Sequence, residues 1–279
     1  MARRSPSDQY GLFLVDRHTN GRVGLLNGLM ALVRRVLGGM TQSDMYSDAA
    51  NASAAAVIAG AMRTAQLSTA NLTVSYLDAM ARSGGFDPPK KVDPIGEHLR
   101  GIPSDEEWLR PFQEYRRQRA AGLDESGARL RMVERAEKLA SDDLTMGMRE
   151  ATINHAKATP KVVGYRRVVH PELAVKTGRV CGLCLVASDR LYSVKTLLPI
   201  HTGCNCTVAE VFSNFDPGSS LNNLSLGELY SAAGSTAAGD LIKVKYVIRE
   251  HGELGPVLVN ADHAFRGPSE TAELVSKVA

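Results

Sequence analysis

Apolar residues fall into two kinds of pattern along this 279-residue chain, with a change of character near Pro160. Before it the spacing is helical. Leu25, Leu29, Leu32, Val33 and Val36 recur at three- and four-residue steps and predict an amphipathic helix within residues 1–40, though glycines at 21, 24, 28, 38 and 39 interrupt it. Asp44 to Arg82 reads as a long helix with twelve alanines between 49 and 81. Its stripe is Val57, Met62 (or Ala61), Leu67 (or Ala65), Leu72 and Leu77 (or Tyr76), and Ser83-Gly84-Gly85 followed by Pro88-Pro89 ends it.

Residues 84–103 are rich in proline and glycine and read as a linker or irregular loop. Ser104-x-x-Glu107 is a capping-box signature, opening a helix that runs through Trp108, Phe112 and Tyr115 to about Gly122. A further helix is expected from about Asp124 to His155. Leu130, Val133, Leu139 (or Ala140), Leu144 and Met148 line one face, and Arg129, Arg131, Arg135 and Lys138 decorate others.

After Pro160 the pattern favours strands. Lys161–Val169 is rich in β-branched and aromatic residues, Tyr192–Val194 and Thr207–Phe212 are short strand candidates, and Lys243–Arg249 alternates. Residues 213–240 read as a loose connector with one helical turn. The expected organisation is an N-terminal arm or amphipathic helix (1–40), a helical domain (41–160), a small α+β module (161–212) and a connector and tail with short strands (213–279). The fold class is mainly α, with that small zinc-stapled α+β module in the C-terminal third and an irregular tail.

Composition adds exclusions. A charged fraction of 23% and a hydrophobic fraction of 44% suit a globular chain, and aromatics at 5% leave the core to Ala, Leu, Val and Met. A net charge of +3 names no nucleic-acid partner by itself. The best candidate for a membrane span, Val23 to Val33, falls well short of the roughly 20 residues one needs. Asp8 and Asp16 break any signal-peptide core, so the chain is expected to be made in the cytoplasm, where thiols stay reduced.

All four cysteines lie between positions 181 and 206, as Cys181-x2-Cys184 and then His201-x2-Cys204-x-Cys206. A Cys-x2-Cys turn, eased by Gly182, presents two thiolates to one ion, and the second element offers three more donors around Gly203. Two ligands from each element close a tetrahedral shell around one zinc. A closed shell leaves no position for water or substrate, so the site is structural. Five donors compete for four places: Cys204 and Cys206 are not separable, and a four-cysteine shell without His201 is an alternative.

The block around these cysteines resembles a known family. Gly164-Tyr-Arg-Arg-Val-Val-His-Pro-Glu172, Cys181-Gly-Leu-Cys184-Leu-Val-Ala-Ser-Asp-Arg190 and Leu198-Pro-Ile-His201-Thr-Gly-Cys204-Asn-Cys206 are similar to tailed-phage minor head proteins of the Mu protein F-like family, in the version common among phages of actinobacteria. The likeness spans roughly residues 45–212. It departs at Thr202, where many relatives carry proline, which loosens a turn and removes no ligand. The resemblance implies a non-enzymatic, low-copy virion protein in the capsid interior near the portal vertex. Its implied partners are the portal protein and the major capsid protein, with packaged DNA as a further one, and no membrane or small-molecule substrate. The rival class is an intracellular zinc-module nucleic-acid-binding protein or nuclease.

Other chemistry is sparse. His170-Pro-Glu172 is read as structural, and His155 and His98 as solvated helix-end residues. Arg116, Arg117 and Arg119 form a basic cluster that pairing with Glu106, Glu107 and Glu114 would explain. A second cluster, Arg166, Arg167, His170, Lys176 and Arg179, is the candidate surface for phosphates or an acidic partner.

Overall fold

The computed structural model describes residues 6–169, 180–193, 206–221, 226–241, 243–251 and 255–260. It is mainly helical. In chain order come α1 (Pro6–Gly38), a 3-10 turn (Asp44–Tyr46), α2 (Asp48–Ser83), α3 (Ser104–Glu107), α4 (Arg110–Ala120) and α5 (Glu125–Ala158). Then follow β1 (Val162–Val168), β2 (Val180–Cys181), α6 (Gly182–Ser188), β3 (Thr207–Phe212), α7 (Pro217–Leu221), α8 (Leu226–Ala233), α9 (Ala238–Leu241), β4 (Lys245–His251) and β5 (Gly255–Asn260).

The chain divides into two compact units. The first holds residues 1–164, 192–204 and 210–215, and is built on α1, α2 and α5, which pack pairwise. Its main core joins Leu29, Val33 and Leu37 of α1, Ile58 and Met62 of α2, Trp108, Phe112 and Tyr115, and Met132 and Leu139 of α5. Residues 1–40 therefore supply one of the three long helices of this body. The glycines of α1 do not break it, because Gly24, Gly28 and Gly38 lie on its exposed side while Leu29, Val33 and Leu37 are buried by its neighbours.

Caps set the helix ends. The Ser47 hydroxyl accepts the Ala50 N–H at 3.3 Å and the Asp124 carboxylate accepts the Gly127 N–H at 2.7 Å. At the other end of α2, Gly85 takes φ +80°, and a Cβ on Gly84 would sit 2.4 Å from the Phe215 ring. The glycine pair thus stops the helix and admits an aromatic side chain.

The buried faces follow the expected stripes in part: Met62, Ala65, Tyr76, Leu77, Leu139, Ala140, Leu144 and Met148 are buried as expected, while other positions miss. Val57 and Leu67 are 55% and 39% exposed; Ile58, Met62, Ala65, Thr69, Thr73, Tyr76 and Met80 form the buried face of α2. On α5, Leu130 is 58% exposed and the row runs through Ala128, Met132, Ala136 and Ala140. Both faces are lined by alanine and threonine, so tracing the bulky aliphatics alone drifts off the true 3.6-residue row. The polar residues are used. His18 Nε2 bonds Thr73 Oγ1 at 3.0 Å, its ring stacks on Tyr76 with centroids 4.6 Å apart, and Arg22 Nη2 donates to Thr145 Oγ1 at 3.3 Å.

Residues 86–103 have no regular structure, yet they are fastened to the body rather than acting as a linker. Arg63 donates to the carbonyls of Gly96 and Ile95, Glu150 Oε1 accepts the Gly96 N–H at 3.0 Å, and Asn154 donates to the carbonyls of Asp93 and Pro94. Ile95 packs among Ala70 and Ala151. Nor does Ser104-x-x-Glu107 act as a capping box: Pro103 is the N-cap and no side-chain cap bond forms. Glu107 turns inward instead, 3% exposed, where the Arg100 guanidinium meets it. Its burial makes an ion pair a stronger demand than a cap. The helix expected through Gly122 is broken at Trp108-Leu109, with Pro111 in the first turn of α4.

The second unit holds residues 165–191, 205–209 and 216–279. It contains a three-stranded antiparallel sheet in the order β2-β4-β5, with Val180 opposite Tyr246 and Val247 opposite Val259. Strand β5 lies in the tail where short strands were expected without bounds of their own, and three short helices stand where a loose connector with one helical turn was expected. Strands β1 and β3 pair in a separate two-stranded sheet. Among the described residues no helix is long and apolar enough to cross a membrane.

Candidate functional site

Two places carry chemistry. The first is the cysteine block. Cys181 is the last residue of β2, and α6 begins at once, so Cys184 stands in the first turn of a helix. The Cys-x2-Cys spacing therefore spans a strand-to-helix joint. Gly182 is not needed there for an unusual backbone angle; a Cβ at that position would lie 2.7 Å from the Leu241 carbonyl oxygen and 2.8 Å from Leu229 Cδ1. Glycine is required by the close approach of α8 and α9.

Cys184 and Cys206 are each 6% exposed, and neither is in a disulfide. Cys206 directly precedes β3, whose six residues are all buried. Two sequestered thiols at element ends suit a structural metal. His201 and Cys204 lie outside the described residues, as does the side chain of Cys181, and among the described residues no group of three or more donors could hold an ion. If the five donors converge, zinc would draw on Cys181 and Cys184 with two of His201, Cys204 and Cys206.

The candidate phosphate surface is placed in part. Arg166 Nε pairs with Asp216 Oδ2 at 2.7 Å and its guanidinium also donates to the Asp189 carbonyl, while Arg167 is 2% exposed. Arg166 is thus engaged within its own unit, and Arg167 is buried. His170, Lys176 and Arg179 lie outside the described residues.

The second place was not foreseen. His155, expected to be solvated, is fully buried in the helical unit. Its Nδ1 meets Glu210 Oε1 at 2.8 Å and its Nε2 meets Asp78 Oδ1 at 3.0 Å. Three elements supply this row: Asp78 from α2, His155 from α5 and Glu210 from β3. A signal was present, since His155 continues the buried row through Met148, Ala151 and Thr152 at helical spacing. Glu210 gave none, because β3 is buried on both faces and its alternation carries no inside–outside information.

Burial alone would discharge the imidazole, but the bonds and charges of Glu210 and then Asp78 outweigh it and hold its pKa above the ordinary value. Burial also pushes the Glu210 carboxyl up, against the pull of His155. With both ring nitrogens facing carboxylates, the charged ring donates twice and keeps no lone pair for a substrate. Nor can one ion touch all three groups, because the two nitrogens point away from each other. The row is an ionic clasp between β3 and the helices. A raised folded-state pKa adds stability that is complete below about pH 6.5, the unfolded value, and fades as pH rises through the folded one. The expected result is a His155 ring that titrates above 6.5 by NMR in the native chain. A ring that titrates at or below 6.5 contradicts the clasp.

Compared with protein-family models, with curated proteins and with solved structures, the chain finds no match in any of the three.

Proposed function

We propose that this chain is a non-enzymatic minor head protein of a tailed bacteriophage, held in the capsid interior near the portal vertex and stapled by one structural zinc. The observation that carries this reading is the cysteine block, Cys181-x2-Cys184 followed by His201-x2-Cys204-x-Cys206, set behind long alanine- and arginine-rich helices. Supporting it, Cys184 and Cys206 are sequestered and out of disulfides, as a metal-bound pair must be. Portal and major capsid proteins are its proposed partners.

Quantitative mass spectrometry of purified particles tests the assignment. The expected result is a few copies of this chain per particle, retained through gradient purification and recovered with the portal. Absence of the chain from purified infectious particles overturns it.

A further inference from the structure

Helices α4 and α5 flank a groove of about 800 Å³ lined mostly by charged and amide residues, whose aliphatic stems also form part of its walls. Each helix contributes one face. On α4 the positions are Arg110, Gln113, Glu114 and Arg117; on α5 they are Arg131, Glu134, Arg135 and Lys138. Both sets follow i, i+3, i+4, i+7 spacing, so each forms a continuous row about 10 Å long. Five cations face two carboxylates, an excess of three positive charges that equals the net charge of the entire chain.

The cations differ in how they are held. Arg117 is held by Glu114 through two hydrogen bonds, while Arg131 meets Glu134 in an exposed i, i+3 pair of the kind that is worth little and exchanges readily. Arg110 reaches Glu107 only at 3.5 Å. Lys138 and Arg135 enter no hydrogen bond or close ion pair among the described residues, though the Arg135 charge acts on Glu107 and Glu114. By contrast Arg116 and Arg119, the neighbours on α4, are spent on the body. Arg116 bonds the Met45 carbonyl and Asp48, and Arg119 bonds the Leu123 carbonyl.

We propose that this groove is a binding site for the phosphate backbone of nucleic acid, engaged without regard to sequence. Charge favours a polyanion, and the lining decides which kind. A protein partner would need aromatic or aliphatic anchors at the centre of the contact, and Leu123 is the single apolar residue lining the groove. Arginine, lysine and glutamine are the side chains that contact phosphate oxygens. The site uses residues of the helical unit alone and does not depend on the chain being a virion component.

The test is fluorescence anisotropy of the full chain with a labelled random-sequence DNA duplex across a salt series. With three to five cations engaged, log K should fall against log salt with a slope of about −3 to −4.5. Arg135→Ala with Lys138→Ala should reduce the steepness by about 2, and charge reversal at both positions should abolish binding at low salt. Arg135 touches the fold only through its charge near Glu107 and Glu114 and Lys138 is exposed, so the double variant should keep its helices by circular dichroism, and Lys90→Ala with Lys91→Ala should bind as the native chain does. No binding at low salt, a double variant with the native slope, or tighter binding of an equally charged poly-glutamate peptide than of DNA each overturns the proposal.

Discussion

Stripping zinc with a strong chelator is expected to unfold the cysteine-bearing part of the chain, residues 165–209, while α1, α2, α4 and α5 stay folded. A structural zinc contributes on the order of 10 kcal/mol to the fold it closes. Around the cysteines there is little else to replace it: β2 is two residues long, and α6 is seven. The long helices have their own core around Trp108, Phe112 and Tyr115, all at most 1% exposed, and need no ion. Limited proteolysis before and after chelation reads the difference directly. New cuts should appear between 165 and 209 and spare the long helices. An unchanged digestion pattern contradicts the staple.

The second large effect is expected from Arg100→Ala. Arg100 leaves the irregular segment and places its Nε 2.6 Å from both Asp143 Oδ1 and Glu107 Oε1, two carboxylates whose side chains are each 4% exposed. Burial pushes both carboxyls up, and Arg100 pulls against it. Without the guanidinium two acids would share a dry site with Arg110, and for Glu107 also Arg135, as the cations left to act on them. Removing one partner of a buried pair typically costs about 3–5 kcal/mol. The loss should be largest at neutral pH, where both acids would have to stay charged. It should shrink in mild acid, because carboxyls whose folded pKa is raised take up protons more readily in the folded state than in the unfolded one. Urea unfolding at pH 7 and pH 5 checks both the size and the sign. A cost below about 1 kcal/mol at pH 7 contradicts the account.

What the sequence could convey is the local chemistry of each element. Helix ends were legible because capping is local chemistry: Asp124 and the glycines after Ser83 act within one turn. Thr207–Phe212 was legible as a strand from its β-branched and aromatic content. Long-range pairing was not. Arg100 sits 43 residues from Asp143, and His155 sits 77 from Asp78 and 55 from Glu210. Nothing local says that these charges meet. Their presence also explains two misreadings, since Glu107 was claimed by Arg100 instead of a cap and His155 by two carboxylates instead of solvent.

The cationic groove follows the same logic. Arg131, Arg135 and Lys138 read singly as solvated decoration, and only the pairing of α4 with α5 sets their row opposite Arg110 and Arg117. For the cysteine block, spacing carried the grouping of donors. The backbone at Gly182 came out as a strand-to-helix joint under tight packing because Leu229 and Leu241, far along the chain, press on it.

Every role assigned to the cysteine block depends on one bound ion. Metal analysis of the freshly purified, reduced full chain therefore tests for that ion. One zinc per chain, lost in a Cys181→Ser variant that keeps its long helices by circular dichroism, is the predicted result. A native chain that carries no metal under those conditions contradicts it.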